Sequence, residues 1–185
     1  MRYLGLLGGM SWESTAEYYR LINTAVAARM GGLHSAPLLV HSVEFAEITQ
    51  LQEQGDWAAA GELLAAAARG LEQTGARALV LCTNTMHCVA PAIEDAVTIP
   101  LLHIVDVTGA ALQAAGIRRA GLLGTRYTME QPFWRERLER LCGIELVVPA
   151  ADERALVHRV IFEELCRGIV TDASRATYVE VIAGL

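Results

Sequence analysis

The sequence predicts an α/β protein with parallel sheets, built as two related lobes. Short apolar runs alternate with longer segments of helical period along the whole chain, which is typical of strands covered by helices. A strand-to-helix motif also occurs twice. Of the 185 residues, 53% are apolar and 19% are charged, so the chain can fill a sizeable core.

Six apolar runs predict the strands, and polar or glycine-rich segments bound each of them. Such unalternating runs are typical of strands buried on both faces of a parallel sheet. The runs cover residues 3–7, 37–43, 78–82, 101–105, 120–123 and 144–148.

Residues typical of helix starts and ends support the prediction that the segments between these strands are helices. Ser14 followed by Glu17 predicts a capping box at the start of the first helix. Gly31 and Gly75 stand where helix ends favour a positive φ, and Pro132 suits a first helical turn.

A weak internal repeat predicts the division into lobes. The segment at residues 4–9 recurs at residues 120–125, an offset of 116 residues. We therefore expect an N-terminal α/β lobe over residues 1–105, to which the chain returns at its C-terminus, and a C-terminal α/β lobe over residues 106–185.

Charge and cysteine content limit the partners. The formal net charge of −6 without a cluster of Lys or Arg argues against nucleic acid and anionic membranes. We expect no targeting segment, because the apolar run at residues 3–7 is too short for a signal peptide, and no apolar run is long enough to span a membrane. The cysteines lack the spacing of a disulfide framework, which predicts reduced thiols in the cytoplasm. They are Cys82, Cys88, Cys142 and Cys166.

Three glycine- or hydroxyl-rich loops follow predicted strands, at residues 8–11, 83–87 and 124–128. Loops at the carboxyl edge of a parallel sheet bind ligands, and their glycines and N–H groups can hold a carboxylate. A dinucleotide site is disfavoured because the first loop has the order G-x-x-G-G. A local alternative stays open, in which Thr83, Asn84 and Thr85 only cap a turn.

A metal site is not expected. Cys82, His87 and Cys88 lack a second Cys/His pair at zinc spacing. We expect His87 to organise the loop that contains it and not to act as a base.

The motifs at residues 8–15, 42–45, 82–87 and 124–125 together resemble the aspartate/glutamate racemase family along essentially the whole chain. The resemblance implies two Rossmann-like lobes related by a pseudo-twofold axis, with the active site in the cleft between them. It also implies catalysis without pyridoxal phosphate or metal, a homodimer, and one cysteine on each lobe at either face of the substrate Cα.

Two-sided acid–base chemistry explains that arrangement. Inverting a stereocentre requires a proton to leave one face and another to arrive on the opposite face, and a thiol with a pKa near 8.5 can serve both steps. Donors around the α-carboxylate must stabilise the carbanion. In this chain we expect substrate contacts from Met10, Ser11, Asn84, Thr85 and Thr125 in the loops. Gln52 is a candidate for recognising the distal group of the substrate, and the alternative that it is an ordinary solvated side chain stays open.

Two departures from the family pattern affect the mechanism. Thr83 stands where many members carry the first cysteine, so we expect Thr83 as the catalytic residue, with a water or neighbour relaying the proton. Cys82, one residue earlier in an extended segment, should face the core. The resemblance places the second cysteine near position 199, beyond the 185 residues of the sequence, so the second lobe is expected to be incomplete.

The sequence therefore predicts a cofactor-independent racemase of aspartate, glutamate or a similar small polar amino acid. One alternative is a decarboxylase or cis-trans isomerase of a carboxylate on the same scaffold. Another is a non-catalytic amino-acid-binding protein, which the replacement of cysteine by Thr83 would favour.

Overall fold

The computed structural model describes residues 3–185. The chain divides into a first unit, residues 1–103, and a second unit, residues 104–185. Each unit has a parallel sheet and a hydrophobic cluster of its own. The α/β class with parallel sheets is confirmed.

The first unit contains a four-stranded parallel sheet in the order β2-β1-β3-β4. The central strand β1 pairs with β2 and β3, with Leu7 opposite both His41 and Leu81. Its elements are β1 (Tyr3–Gly8), α1 (Trp12–Met30), β2 (Leu38–Ser42), α2 (Phe45–Gln54), α3 (Trp57–Gln73), β3 (Ala76–Leu81), a 3₁₀ turn (Thr85–Val89), α4 (Ala90–Ala96) and β4 (Leu101–Leu102).

Helix α3 covers one face of this sheet because its buried residues recur at helical spacing. Ala60, Leu64, Ala68 and Leu71 lie on that stripe and are 4% exposed or less. Burying a leucine side chain contributes about 1.5–3 kcal/mol. Gly5 of β1 leaves room for side chains of β3, since a Cβ there would lie 2.8 Å from Leu79 Cδ2 and 3.1 Å from Ala76 Cβ.

The second unit contains the two-stranded parallel sheet β5-β6, packed with helices around Val105, Leu138 and Val157. A bidentate ion pair from Arg137 to Asp106, at 2.5 and 2.7 Å, links α7 to α5. The elements are α5 (Ile104–Ala114), β5 (Arg119–Gly121), α6 (Arg126–Glu130), α7 (Phe133–Cys142), β6 (Glu145–Val147), α8 (Ala151–Glu163), a 3₁₀ turn (Leu165–Arg167) and α9 (Asp172–Ala183).

All six predicted strand regions contain a strand, and two local predictions need correction. The fourth strand is only Leu101–Leu102, because Ile104 already begins α5. The capping box is wrong: α1 begins at Trp12, and Glu17 instead forms an ion pair with Arg20 at 2.7 Å.

Helix ends follow the glycine and proline signals. Gly31 and Gly75 have φ of +73° and +109°, and Pro132 directly precedes α7. Within residues 3–185, no helix is both long and apolar enough to span a bilayer.

Candidate active site

Two of the three predicted loops meet at one edge of the first unit's sheet. Because β1 and β3 are parallel neighbours, their carboxyl ends lie side by side. The Cys82 N–H donates to Leu7 O at 2.9 Å, which continues the pairing to the strand ends. The loop after β1 and the loop after β3 therefore form one edge site, as expected for an α/β ligand site.

Close contacts with Val43 and hydrogen bonds to Thr15 fix the backbone of the loop after β1. Gly9 has φ of +94°, and a Cβ at this position would overlap the backbone of Val43. Its N–H donates to Thr15 Oγ1 at 2.9 Å, and that hydroxyl donates to Ser11 O at 3.1 Å. The Gly9 N–H is thus bound within the protein.

Met10 and Ser11, both predicted substrate contacts, are buried at this loop, each 5% exposed. The peptide bond that joins them is cis. Ser11 occupies the N-cap position of α1, but its side chain makes no capping hydrogen bond. Its hydroxyl is therefore not used as a helix cap.

At the end of β3, the prediction that Cys82 faces the core is confirmed. Cys82 is completely buried, and burial raises the pKa of its thiol to about 12. Thr83 is only partly buried. The Cys82 thiol is therefore protonated near neutral pH and unsuited to proton abstraction.

Asn84 and Thr85 follow in a sharp turn after β3, called the elbow below, which hydrogen bonds from a histidine stabilise. Asn84 O accepts hydrogen bonds from His87 N–H at 3.1 Å and from His87 Nδ1 at 3.3 Å. The His87 ring packs edge-on against His103, with centroids 4.7 Å apart. The Asn84 side chain makes no capping hydrogen bond to the following 3₁₀ turn.

Gln52 of α2 contacts the same elbow from a different element. Its Nε2 donates to Met86 Sδ at 3.0 Å, within the 3₁₀ turn that follows Thr85. The residue is 5% exposed, and its Oε1 has no hydrogen-bond partner in the described part of the chain. Leaving a buried acceptor unsatisfied costs about 1–3 kcal/mol.

Thr125, the remaining predicted contact, belongs to the second unit and follows β5. Its hydroxyl caps α6 by accepting Thr128 N–H at 3.2 Å. The next N–H, from Arg126, donates to His158 Nδ1 at 3.1 Å. The supporting role of His158 has no local sequence signal, because His158 and Arg126 lie 32 residues apart. Thr15 and Thr128 act locally, and a hydroxyl side chain near a helix start is the signal that could have identified them.

The donor chemistry of the chain does not favour a metal centre. Within residues 3–185, no cluster of three or more His, Cys, Asp or Glu side chains could hold a metal ion. The edge loops present hydroxyl and amide groups instead, which suit a small polar organic ligand.

The first unit therefore combines a parallel α/β fold with strand-end loops that carry hydroxyl and amide side chains, an arrangement in which α/β proteins bind small ligands. The Asp/Glu/Hydantoin racemase family model matches residues 7–185. The chain therefore belongs to that family, and the enzyme class predicted from its motifs is confirmed.

Solved structures show the same relationship. Over its whole length the chain is similar to a candidate Asp/Glu racemase from Yersinia pestis, with 54% identity, a TM-score of 0.89 and 80% of that chain covered. It is 32% identical to an aspartate racemase homologue from Pyrococcus horikoshii OT3, with a TM-score of 0.75, over 91% of this chain and 74% of that chain.

An aspartate racemase from Picrophilus torridus shares the fold at lower sequence similarity. It is 20% identical with a TM-score of 0.73, over 100% of this chain and 76% of that chain. The architecture thus persists where most of the sequence has changed.

Proposed function

We propose that this protein racemises aspartate, glutamate or a similar small polar amino acid without pyridoxal phosphate or another cofactor. The Asp/Glu/Hydantoin racemase family match over residues 7–185 supports the reaction class. The racemase descriptions of the relatives favour this function over a decarboxylase, a cis-trans isomerase or a binding protein.

The observation that carries the proposal is the buried Gln52 Oε1 without a partner beside the Thr83–Thr85 elbow. A buried acceptor is tolerated where a ligand completes its hydrogen bonding. The α-ammonium group of an amino acid is a donor of that kind, with three N–H bonds to give. Gln52 would then orient the substrate while Thr83 faces Cα.

Thr83 is proposed to transfer the proton on one face of Cα. Its hydroxyl is a much weaker acid than a thiol, so Thr83 acts only as a relay. The hydroxyl oxygen takes the α-proton as a hydroxide ion from solvent removes the hydroxyl's own proton, which leaves a water molecule and an intact threonine. The electron pair of the broken C–H bond passes into the α-carboxylate. Ser11, Asn84 and Thr85 donate hydrogen bonds to that carboxylate, and Thr125 is proposed to add another.

The second acid–base group must act on the opposite face. We propose that it is the cysteine expected near position 199, because none of the cysteines at the edge loops suits the role. Cys82 and Cys88 both have a pKa raised to about 12 by burial. The Yersinia pestis relative is longer than its match, since this chain covers 80% of it.

Assembly and cellular location are proposed on separate observations. All four cysteines are free thiols, which supports a reducing, cytoplasmic setting.

Apolar side chains at Tyr19, Leu21, Met30 and Leu33 are more than half exposed, which supports a homodimer. Light scattering after gel filtration would measure the mass, and a strictly monomeric mass would contradict the dimer.

Deuterium exchange tests the proposed reaction directly. The chain and a version extended past residue 199 are incubated in D₂O with L- and D-amino acids, and NMR follows loss of the α-proton signal. We expect the extended protein to exchange and invert a small polar amino acid. If it bound amino acids but exchanged none, the racemase proposal would fail and the binding-protein alternative would replace it.

A further inference from the structure

One long-range hydrogen bond fixes the turn that carries Thr125. The N–H of Arg126, the first residue of α6, donates to Nδ1 of His158 on α8 at 3.1 Å. N–H groups in a first helical turn have no acceptor within their own helix. The imidazole supplies that acceptor from a residue 32 positions away in sequence.

Aromatic neighbours hold the imidazole in this orientation. The His158 ring lies edge-on to Tyr127, with centroids 5.8 Å apart and planes at 86°. On its own helix it packs against Phe162 at 4.7 Å. Because Nδ1 accepts a hydrogen bond, the contact requires the neutral tautomer with its proton on Nε2.

The charges around His158 favour that neutral form. Burial, and then the charge of Arg126, lower the pKa of His158, while Glu130 opposes them. Glu130 is itself engaged by Arg154, one turn before His158 on α8, at 3.0 Å.

A titratable side chain of the neighbouring helix α9 is hydrogen-bonded to α8 at the residue that precedes His158. Tyr178 of α9 donates from its hydroxyl to Val157 O at 3.3 Å. Protonation of His158 is therefore opposed mainly by its burial and by Arg126.

We propose that His158 is a positioning residue, whose neutral imidazole holds the Thr125–Arg126 turn in the geometry that binds substrate and whose protonation releases it. The proposal rests on the function proposed for Thr125. It adds a residue that does not touch substrate and acts through one backbone N–H.

The consequence of protonation follows from donor and acceptor chemistry. A protonated Nδ1 points a second donor at the Arg126 N–H, so the hydrogen bond is replaced by repulsion between two donors. The turn then loses its link to α8 and keeps its local bonds, among them the Thr125–Thr128 cap at 3.2 Å and the bond from Met129 N–H to Thr125 O at 3.0 Å. Loss of one hydrogen bond of this kind corresponds to about a tenfold effect on substrate binding.

Two substitutions distinguish the effect of the hydrogen-bond acceptor at position 158 from the effect of its protonation. His158→Asn keeps an acceptor atom near the Nδ1 position but cannot be protonated, whereas His158→Leu removes the acceptor. In the wild type we expect KM to rise about tenfold as pH falls below 6.5, the ordinary pKa of the group. His158→Asn should abolish that rise, and His158→Leu should raise KM at every pH with kcat changed less than about twofold.

His34→Asn is the matched control, because His34 is an exposed histidine of the first unit. It should retain the wild-type pH profile. A profile that His158→Asn left unchanged would overturn the positioning role.

A measurement independent of activity tests the contact itself. In ¹⁵N-arginine-labelled protein, the Arg126 amide proton should shift with the titration of His158 in the wild type and stay constant in His158→Asn. An Arg126 amide indifferent to pH in the wild type would overturn the proposal even in an active enzyme. If no amino acid were turned over, the proposed racemase function would fail separately, and this resonance would still decide the His158 contact.

Discussion

Gly8 and Thr15 are packed so closely that no side chain fits between them. A Cβ on Gly8 would overlap Thr15 Cγ2 and Oγ1, and the same Thr15 hydroxyl holds Gly9 N–H and Ser11 O. The first turn of α1 therefore packs directly against the carboxyl end of β1. The absence of a side chain at Gly8 is what brings Met10 and Ser11 to the sheet edge.

Gly8→Ala should destabilise the protein and disturb the edge site together. Overpacking at a tight contact costs about 1–3 kcal/mol, and here the displaced group is the threonine that orders residues 9–11. Chemical denaturation measures the free energy of unfolding. We expect a loss in that range and a weaker affinity for amino acids.

Gly70→Ala provides the control, because nothing lies within 4 Å of a Cβ at that position. In the interior of α3, alanine should stabilise by about 0.5–1 kcal/mol. Equal destabilisation by both substitutions would show that the Gly8–Thr15 contact has no special role.

Thr83→Ala should reduce α-proton exchange by about 100-fold or more, because it removes the acid–base group on one face of Cα. Thr83→Cys should increase exchange, because a thiol ionises far more readily than a threonine hydroxyl. NMR in D₂O with each enantiomer measures both changes.

Cys82→Ala is the matched control one residue away. Cys82 is completely buried, and we assign it no part in the chemistry, so exchange should stay within about twofold of wild type. If Cys82→Ala abolished exchange in a protein that remained folded and Thr83→Ala did not, the assignment of roles at this elbow would be reversed.

Gln52→Met should raise both the stability of the free protein and the KM for substrate. The substitution removes the buried Oε1 that has no partner while filling similar space beside Met86, so about 1 kcal/mol of unfolding free energy should be gained. Loss of the ligand contact should raise KM about tenfold. Thermal unfolding and initial-rate kinetics measure the two effects.

Gln54→Met, at an exposed position of the same helix, should change neither quantity appreciably. If Gln52→Met lowered stability and left KM unchanged, Gln52 would be a packing residue only.

The sequence alone predicted which segments contain strands and where the polar loops follow them, because apolar runs and glycines are local signals. It could not separate strand from helix at residues 101–105, where Ile104 begins α5, since a short apolar run fits both. It also could not show that Gln52 and Met86, 34 residues apart, meet at the same elbow. Contacts of that kind depend on tertiary packing that no local motif encodes.

Alkaline pH should destabilise the protein through its buried thiols. Burial raises the pKa of Cys82 and of Cys88 from an ordinary 9.0 to about 12. The unfolded chain therefore releases these protons at a lower pH than the folded chain does. Stability is fully present below about pH 9 and falls as pH rises towards 12, because the unfolded state binds fewer protons in that window.

The dependence of the melting temperature on pH measures this linkage. Cys82→Ala should make the alkaline decline shallower, since one of the titrating groups is lost. Cys142→Ala is the control, because Cys142 is only partly buried in the second unit. If the melting temperature of the Cys82→Ala protein fell as steeply with pH as that of the wild type, burial of Cys82 would not contribute to the loss of stability at alkaline pH.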